Sequence, residues 1–142
     1  MKFAKLPSKM YAGYIPCGNS TEEGVDYQMF EHYMFHESER DPENDPLLIW
    51  TNGGPGAASY LGLFTELGPL WLTGDSLMTD DYKKTGIPTL VYNDYAWNKA
   101  ANLLIINSPP PVGYSYCTPA GPSGDADSCG TWNDEKTAYH NS

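Results

Sequence analysis

Apolar positions in this chain gather into short runs separated by glycine and proline, and the runs differ in period. Across 25–38, VDYQMFEHYMFHES, aromatic and apolar residues partly alternate with polar ones, which predicts a strand. RDPENDP at 40–46 places two Asp-Pro pairs around an asparagine and predicts a turn. LLIW at 47–50 is an unbroken apolar run, as expected of a strand covered on both faces. These first two strands are therefore expected to form a hairpin with a long loop. In AASYLGLFTELGP, 57–69, Tyr60, Leu63, Phe64 and Leu67 recur at helical spacing, and Gly68-Pro69 is a stop signal. TLVYN at 89–93 predicts a short strand. ANLLIINS at 101–108 predicts a buried one, broken off by Pro109, Pro110 and Pro111. The last residues, TWNDEKTAYHNS, open as a helix, with Thr131 or Asn133 as cap and Asp134 and Glu135 in the first turn. The order strand, strand, helix, strand, strand, helix is the opening of an α/β sheet within one domain over 1–142. Its apolar strands need a second layer of helices that these residues barely provide.

Composition narrows the function classes. The chain has 142 residues, enough for a modest core, and a net charge of -10. Phosphate binding needs clustered Lys and Arg, so a nucleic-acid partner is excluded. The charge suits a soluble protein in an acidic compartment, and equally a plain solvated surface. No apolar run is long enough to span a bilayer. The start, MKFAKLPSK, has positive charge but no apolar stretch behind it, so no intact signal peptide is expected. Cys117 and Cys129 bracket a loop rich in Gly, Pro, Ser and Asp. A local disulfide would constrain that loop, leaving Cys17 odd; the alternative is unlinked thiols. Asn19-Ser20-Thr21 is a glycosylation sequon, relevant if the chain is secreted.

The candidate chemistry lies in TNGGPGAASY, 51–60, between the LLIW strand and the helical pattern. Glycines there can take positive φ and let a ligand approach backbone N–H groups, and a helix N-terminus would add partial positive charge. Together they would make a small anion-binding nest at the carboxyl edge of a sheet; a tight turn without a ligand has the same spacing. It is not a P-loop, since no Gly-Lys-Ser/Thr follows. No metal or cofactor is expected. His32 and His36 are four apart, but Tyr33 stands where a metallopeptidase helix needs glutamate, and both read as surface or packing residues. The acids of DADS at 125–128 lack a full calcium loop. GYSYC at 113–117 follows a strand, yet prolines precede it and no small residue closes it, so Ser115 is not read as a nucleophile.

YAGYI (11–15), DPENDPLLIWTNGGPG (41–56), GLFTELGP (62–69), YNDYAWN (92–98) and NSPPPVGYSYC (107–117) resemble, in order and spacing, the motifs of serine carboxypeptidases. The likeness is to the lysosomal and vacuolar enzymes, whose framework is shared by plant serine carboxypeptidase-like acyltransferases. It implies an α/β-hydrolase fold, of which this chain is about the N-terminal third. It also implies residue roles. Gly54 would give one oxyanion N–H, with Gly53 shaping the same turn. Trp50 and Asn52 would recognise the free C-terminal carboxylate of a peptide. Glu66 would join that network by sharing a proton with a second glutamate near the nucleophile, giving an acid optimum. Leu61 and Thr65 stand where the family lines its leaving-group pocket. Tyr114 belongs to a binding loop, as substrate wall or core.

This chain departs from the family at Ala57, where a bridging cysteine is expected, and at Pro110 and Pro111, where a small residue and glycine are expected. The Ser-His-Asp constellation of acyl transfer is absent, and the family's serine is expected beyond residue 142. Two functions of different class follow. One is the N-terminal segment of a carboxypeptidase, or of an acyltransferase, with a peptide C-terminus as substrate. The other is a truncated, non-catalytic subunit whose apolar strands pack on other protein subunits. The resemblance implies the secretory pathway, lysosome or vacuole.

Overall fold

The computed structural model describes residues 6–119 and 129–141; the acids of 125–128 lie outside them. Two strands open the chain: β1 (Met10–Glu22) and β2 (Val25–His36). Glu23 and Gly24 join them with φ of 51° and 79°. Paired positive φ values match the right-handed twist of flanking strands, so the hairpin closes in two residues. The expected hairpin between β2 and β3 (Leu47–Trp50) is not formed, since the sheet order is β1-β2-β6-β3, with β6 spanning Asn102–Asn107. A long Asp-Pro turn permits a hairpin but does not compel one, and the more apolar β6 takes the place between them. β7 (Tyr116–Thr118) pairs antiparallel with β2, setting Met29 against Cys117.

The helical pattern of 57–69 yields less helix than expected. α1 is a single turn, Tyr60–Gly62, continued by one π turn, Leu63–Leu67. The Gly68 N–H donates to Leu63 O at 3.0 Å, closing it. β4 (Leu70–Trp71) and β5 (Val91–Tyr92) pair antiparallel, so only two residues of the expected 89–93 strand are extended. Between them lies α2 (Asp80–Thr85), unexpected from apolar period. It is built on end signals: Thr79 accepts from Tyr82 N–H, acids open it, and lysines close it. α3 (Asp134–His140) is capped by Asn133, whose side chain accepts from Lys136 N–H.

Two compact units emerge from the described residues. The first draws on 6–11, 35–48 and 61–104. Leu63, Leu67, Ala96, Ala101 and Leu103 are buried in it, as are Asn93 and Asn98. Asn93 Nδ2 donates to Gly68 O at 2.8 Å and its Oδ1 accepts from Tyr95 N–H, which ties ELGP to YNDY. Arg40 and Ser38 hold the Asp45 carboxylate, and these bonds push its pKa down to about 2. The second unit draws on 12–34, 49–60, 105–119 and 129–141. Met29, Cys117 and Cys129 form its buried centre, with Cys17, Tyr27 and Trp132 packed against them. Cys117 and Cys129 are disulfide-bonded and Cys17 is free, so the first of the two cysteine readings holds.

LLIW does not meet the expectation of a strand covered on both faces. Leu47, Leu48 and Ile49 are 52%, 38% and 63% exposed. Being last in the strand order leaves β3 one neighbour, and no helix among these residues covers it.

Candidate active site

The glycine loop belongs to the second unit. It leaves β3 at Trp50 and reaches α1 at Tyr60. Gly54 has φ of 135° and Gly56 of 94°, values that a side chain strongly disfavours. Gly53 needs no such freedom: its φ is not in that region and an added Cβ would meet nothing within 4 Å. Gly53, Gly54 and Gly56 are all exposed. Among the described residues, no backbone carbonyl accepts from the Gly53 or Gly54 N–H. The expected helix start at Pro55 or Gly56 is displaced to Tyr60, and α1 is too short for a useful dipole. Any anion affinity here therefore comes from the loop's own amides.

Trp50 and Asn52 meet: Trp50 Nε1 donates to Asn52 Oδ1 at 2.8 Å. Beneath them lies a network absent from the sequence reading. Asn52 N–H donates to Ser59 Oγ at 3.1 Å, and Ser59 Oγ donates to Ile106 O at 2.5 Å. Ser59 N–H donates to Asn107 Oδ1 at 2.8 Å. Ser59 and Asn107 are fully buried. Their only sequence signal is polarity, one beside the glycine loop and one closing an apolar strand.

Tyr114 sits on the loop after β6 and is 64% exposed, whereas Tyr116 stacks on Phe30 at 4.8 Å. The packing reading thus suits Tyr116, while Tyr114 is open to solvent. Tyr114 lies 5.5 Å from the His32 ring and 5.8 Å from Tyr60. His32 Nδ1 and the Tyr60 hydroxyl are hydrogen-bonded. Burial lowers the His32 pKa and raises that of Tyr60, so both are neutral near pH 7. Ser115 is buried; it accepts from His32 N–H and donates to Asn107 O, a framework role that agrees with reading it as no nucleophile.

Beside the glycine loop a cleft of about 440 Å³ is lined by Pro55, Gly56, Pro109, Pro110, Pro111 and Trp132, with Val112 and Gly113. A second, of about 640 Å³, runs past the exposed Asn19 of the sequon, the half-buried Tyr27 and the exposed Thr118.

Leu61, Thr65 and Glu66 belong to the first unit. All three are exposed on α1 and the π turn that follows. Thr65 Oγ1 donates to Leu61 O at 2.6 Å. The Glu66 carbonyl accepts from Trp71 Nε1 at 3.0 Å, which fixes its backbone and leaves the carboxylate to solvent. His36, in the same unit, is buried, and burial pushes its pKa down to about 4. No group of three or more His, Cys, Asp or Glu among the described residues is arranged to hold a metal ion. No helix among them is long and apolar enough to cross a membrane.

The family model of serine carboxypeptidases matches residues 2–142. The chain is 43% identical over 114 residues to the lysosomal protective protein of Mus musculus, covering 80% of this chain and 20% of that one. It is 42% identical over 108 residues to carboxypeptidase Y homolog A of Aspergillus oryzae, covering 76% and 16%. Among solved structures it is similar to the prohormone-processing carboxypeptidase Kex1 of Saccharomyces cerevisiae, with a TM-score of 0.57, 28% identity, and 77% of this chain against 21% of that one. The chain therefore spans about a fifth of the length of the relatives it matches. Its sheet and short helices correspond to the N-terminal portion of a carboxypeptidase of α/β-hydrolase fold.

Proposed function

We propose, since this chain belongs to the serine carboxypeptidase family, that its residues form the oxyanion and carboxylate-recognition part of a serine-type carboxypeptidase. The Ser-Asp-His triad would come from outside these 142 residues. Serine adds to the carbonyl of the C-terminal peptide bond and the tetrahedral oxyanion accepts a hydrogen bond from the Gly54 N–H; the C–N bond then breaks, the C-terminal amino acid leaves with a proton from the triad, and water hydrolyses the acyl-serine to free the serine and the shortened peptide. Trp50 and Asn52 bind the peptide's free carboxylate, and the resemblance implies a part in that recognition for Glu66. Leu61 and Thr65 contact the departing residue, and Tyr114 walls the acyl side. An acyltransferase differs only in its acceptor. The lysosome or vacuole that the resemblance implies suits the chain's acidity, and one relative is named as a lysosomal protein.

The carrying observation is Gly54: exposed, at φ of 135°, between a strand end and a turn held by the buried Ser59. The native protein's intact mass decides whether a triad accompanies it. Where it does, release of a C-terminal residue from a blocked dipeptide measures the site. Gly54→Ala keeps the N–H but strains a backbone at φ of 135°, so it is expected to turn the donor away and lower kcat by about 100-fold or more with KM little changed, since an oxyanion donor acts in the transition state. Unchanged kcat would remove Gly54 from the reaction.

The second reading, a non-catalytic subunit, is favoured by one observation: the apolar residues of β3 are exposed. A mature polypeptide mass equal to this chain alone, found within a stable native assembly with unrelated proteins, would establish it.

A further inference from the structure

The Asn52–Ser59 loop holds three glycines and must keep two of them at positive φ. Left to itself, such a segment spreads over many conformations, since glycine loses the most backbone freedom on ordering. Ala57 offers no covalent tie. Yet the two ends of the loop are tied by one side chain, for Asn52 N–H donates to Ser59 Oγ at 3.1 Å across seven residues.

Ser59 is in turn fixed from β6. Its hydroxyl has one proton, which goes to Ile106 O at 2.5 Å. That leaves its lone pairs to Asn52, so the direction of the whole chain of bonds is set. Its own N–H donates to Asn107 Oδ1 at 2.8 Å. Asn107 is clamped as well: its carbonyl accepts from Ser115 Oγ, and its amide packs over Gly113, where an added Cβ would fall 2.4 Å from Nδ2. Among the described residues, buried Asn107 Nδ2 has no hydrogen-bond partner. An apolar side chain of similar size would avoid that orphan donor, so the residue's value lies in Oδ1 and its hold on Ser59.

We propose that Ser59 and Asn107 are positioning residues that set the backbone of the Asn52–Gly56 loop, and with it the direction of the Gly53 and Gly54 amides. This rests on reading those amides as the oxyanion donors, but it is tested without the reaction. Neither residue touches substrate in that reading; each acts through the loop.

The experiment is residue-resolved amide exchange and chemical shift on the isotopically labelled chain. Ser59→Ala is expected to speed Asn52 exchange about tenfold and to move the Gly53 and Gly54 resonances, with β1–β2 amides within about twofold of their original rates. Ser59→Thr keeps the hydroxyl and is expected to restore both. Asn107→Asp keeps an acceptor for Ser59 N–H and should preserve the loop spectrum, while Asn107→Leu displaces it. Unchanged Asn52 exchange in Ser59→Ala overturns the proposal, as does threonine behaving like alanine. Should Ser59→Ala fail to fold, the Asn107 pair decides: identical loop spectra for Asp and Leu overturn it, and a shift confined to Leu supports it. The lock can fail while Gly54→Ala still lowers kcat, and it can hold while Gly54→Ala leaves kcat untouched, so the two readings fall separately.

Discussion

β3 and β6 carry nearly the same message, LLIW and NLLIIN, and meet opposite fates. Leu103 and Ile105 of β6 have no exposed surface, while Ile49 of β3 is 63% exposed. Composition does not separate them. Position does: β6 lies between β2 and β3 in the strand order, and β3 ends it. Apolar runs of this kind report that a strand will be covered, without saying by what. For β6 the cover lies among the described residues; for β3 none of them supplies it.

The widest gap between the strands should appear on truncation. Leu103→Ala should destabilise by about 2–5 kcal/mol, the range for deleting a buried leucine, read by denaturant unfolding. A loss below about 1 kcal/mol would mean that β6 is no more buried than its neighbour. Next is the bond behind β2. Cys117 and Cys129 are 12 residues apart, and removing both as serines should lower stability by about 3 kcal/mol through the freed loop. Thermal melts with and without reductant check this, and the serine variant should be indifferent to reductant.

His36 closes β2, which flanks β6, and its burial carries a pH signature. Its pKa is about 4 when folded and 6.5 as a free side chain. The unfolded chain therefore binds a proton between those values that the folded chain refuses. Stability contributed by the neutral ring is complete above pH 6.5 and falls as pH drops toward 4, by at most about 3 kcal/mol. His36→Phe should flatten that part of the curve; an unchanged slope would show that His36 does not govern it. Least of all, Ile49→Ser should shift stability by less than about 0.5 kcal/mol, as at open surface sites. A larger loss would sharpen the contrast the other way, by showing that β3 is covered in solution, and sedimentation would identify self-association as the cover.

How far the site was legible divides along similar lines. Trp50, Asn52 and the glycines stand out because their motif is local, and Gly54 does use the freedom only glycine has. Asn133 as the cap of α3 was one of two candidates; Thr131 is drawn off by Glu22. Ser59 and Asn107 were invisible, since their meaning lies in a contact across 48 residues. The β1–β2 hairpin was missed for a related reason: Glu23 is a poor advertisement for a positive-φ turn, and the pairing of long strands imposes it.

Sequence alone determined the family, the positions of β2, β3 and β6, the flexible loop and the capped last helix. Each follows from residue types within a few positions of one another, where intrinsic backbone preference and period suffice. Tertiary structure decided which strands are neighbours, which apolar run is buried, and which polar side chains hold the glycine loop. Those outcomes depend on residues far apart in the chain competing for the same partners, and no local pattern records the winner.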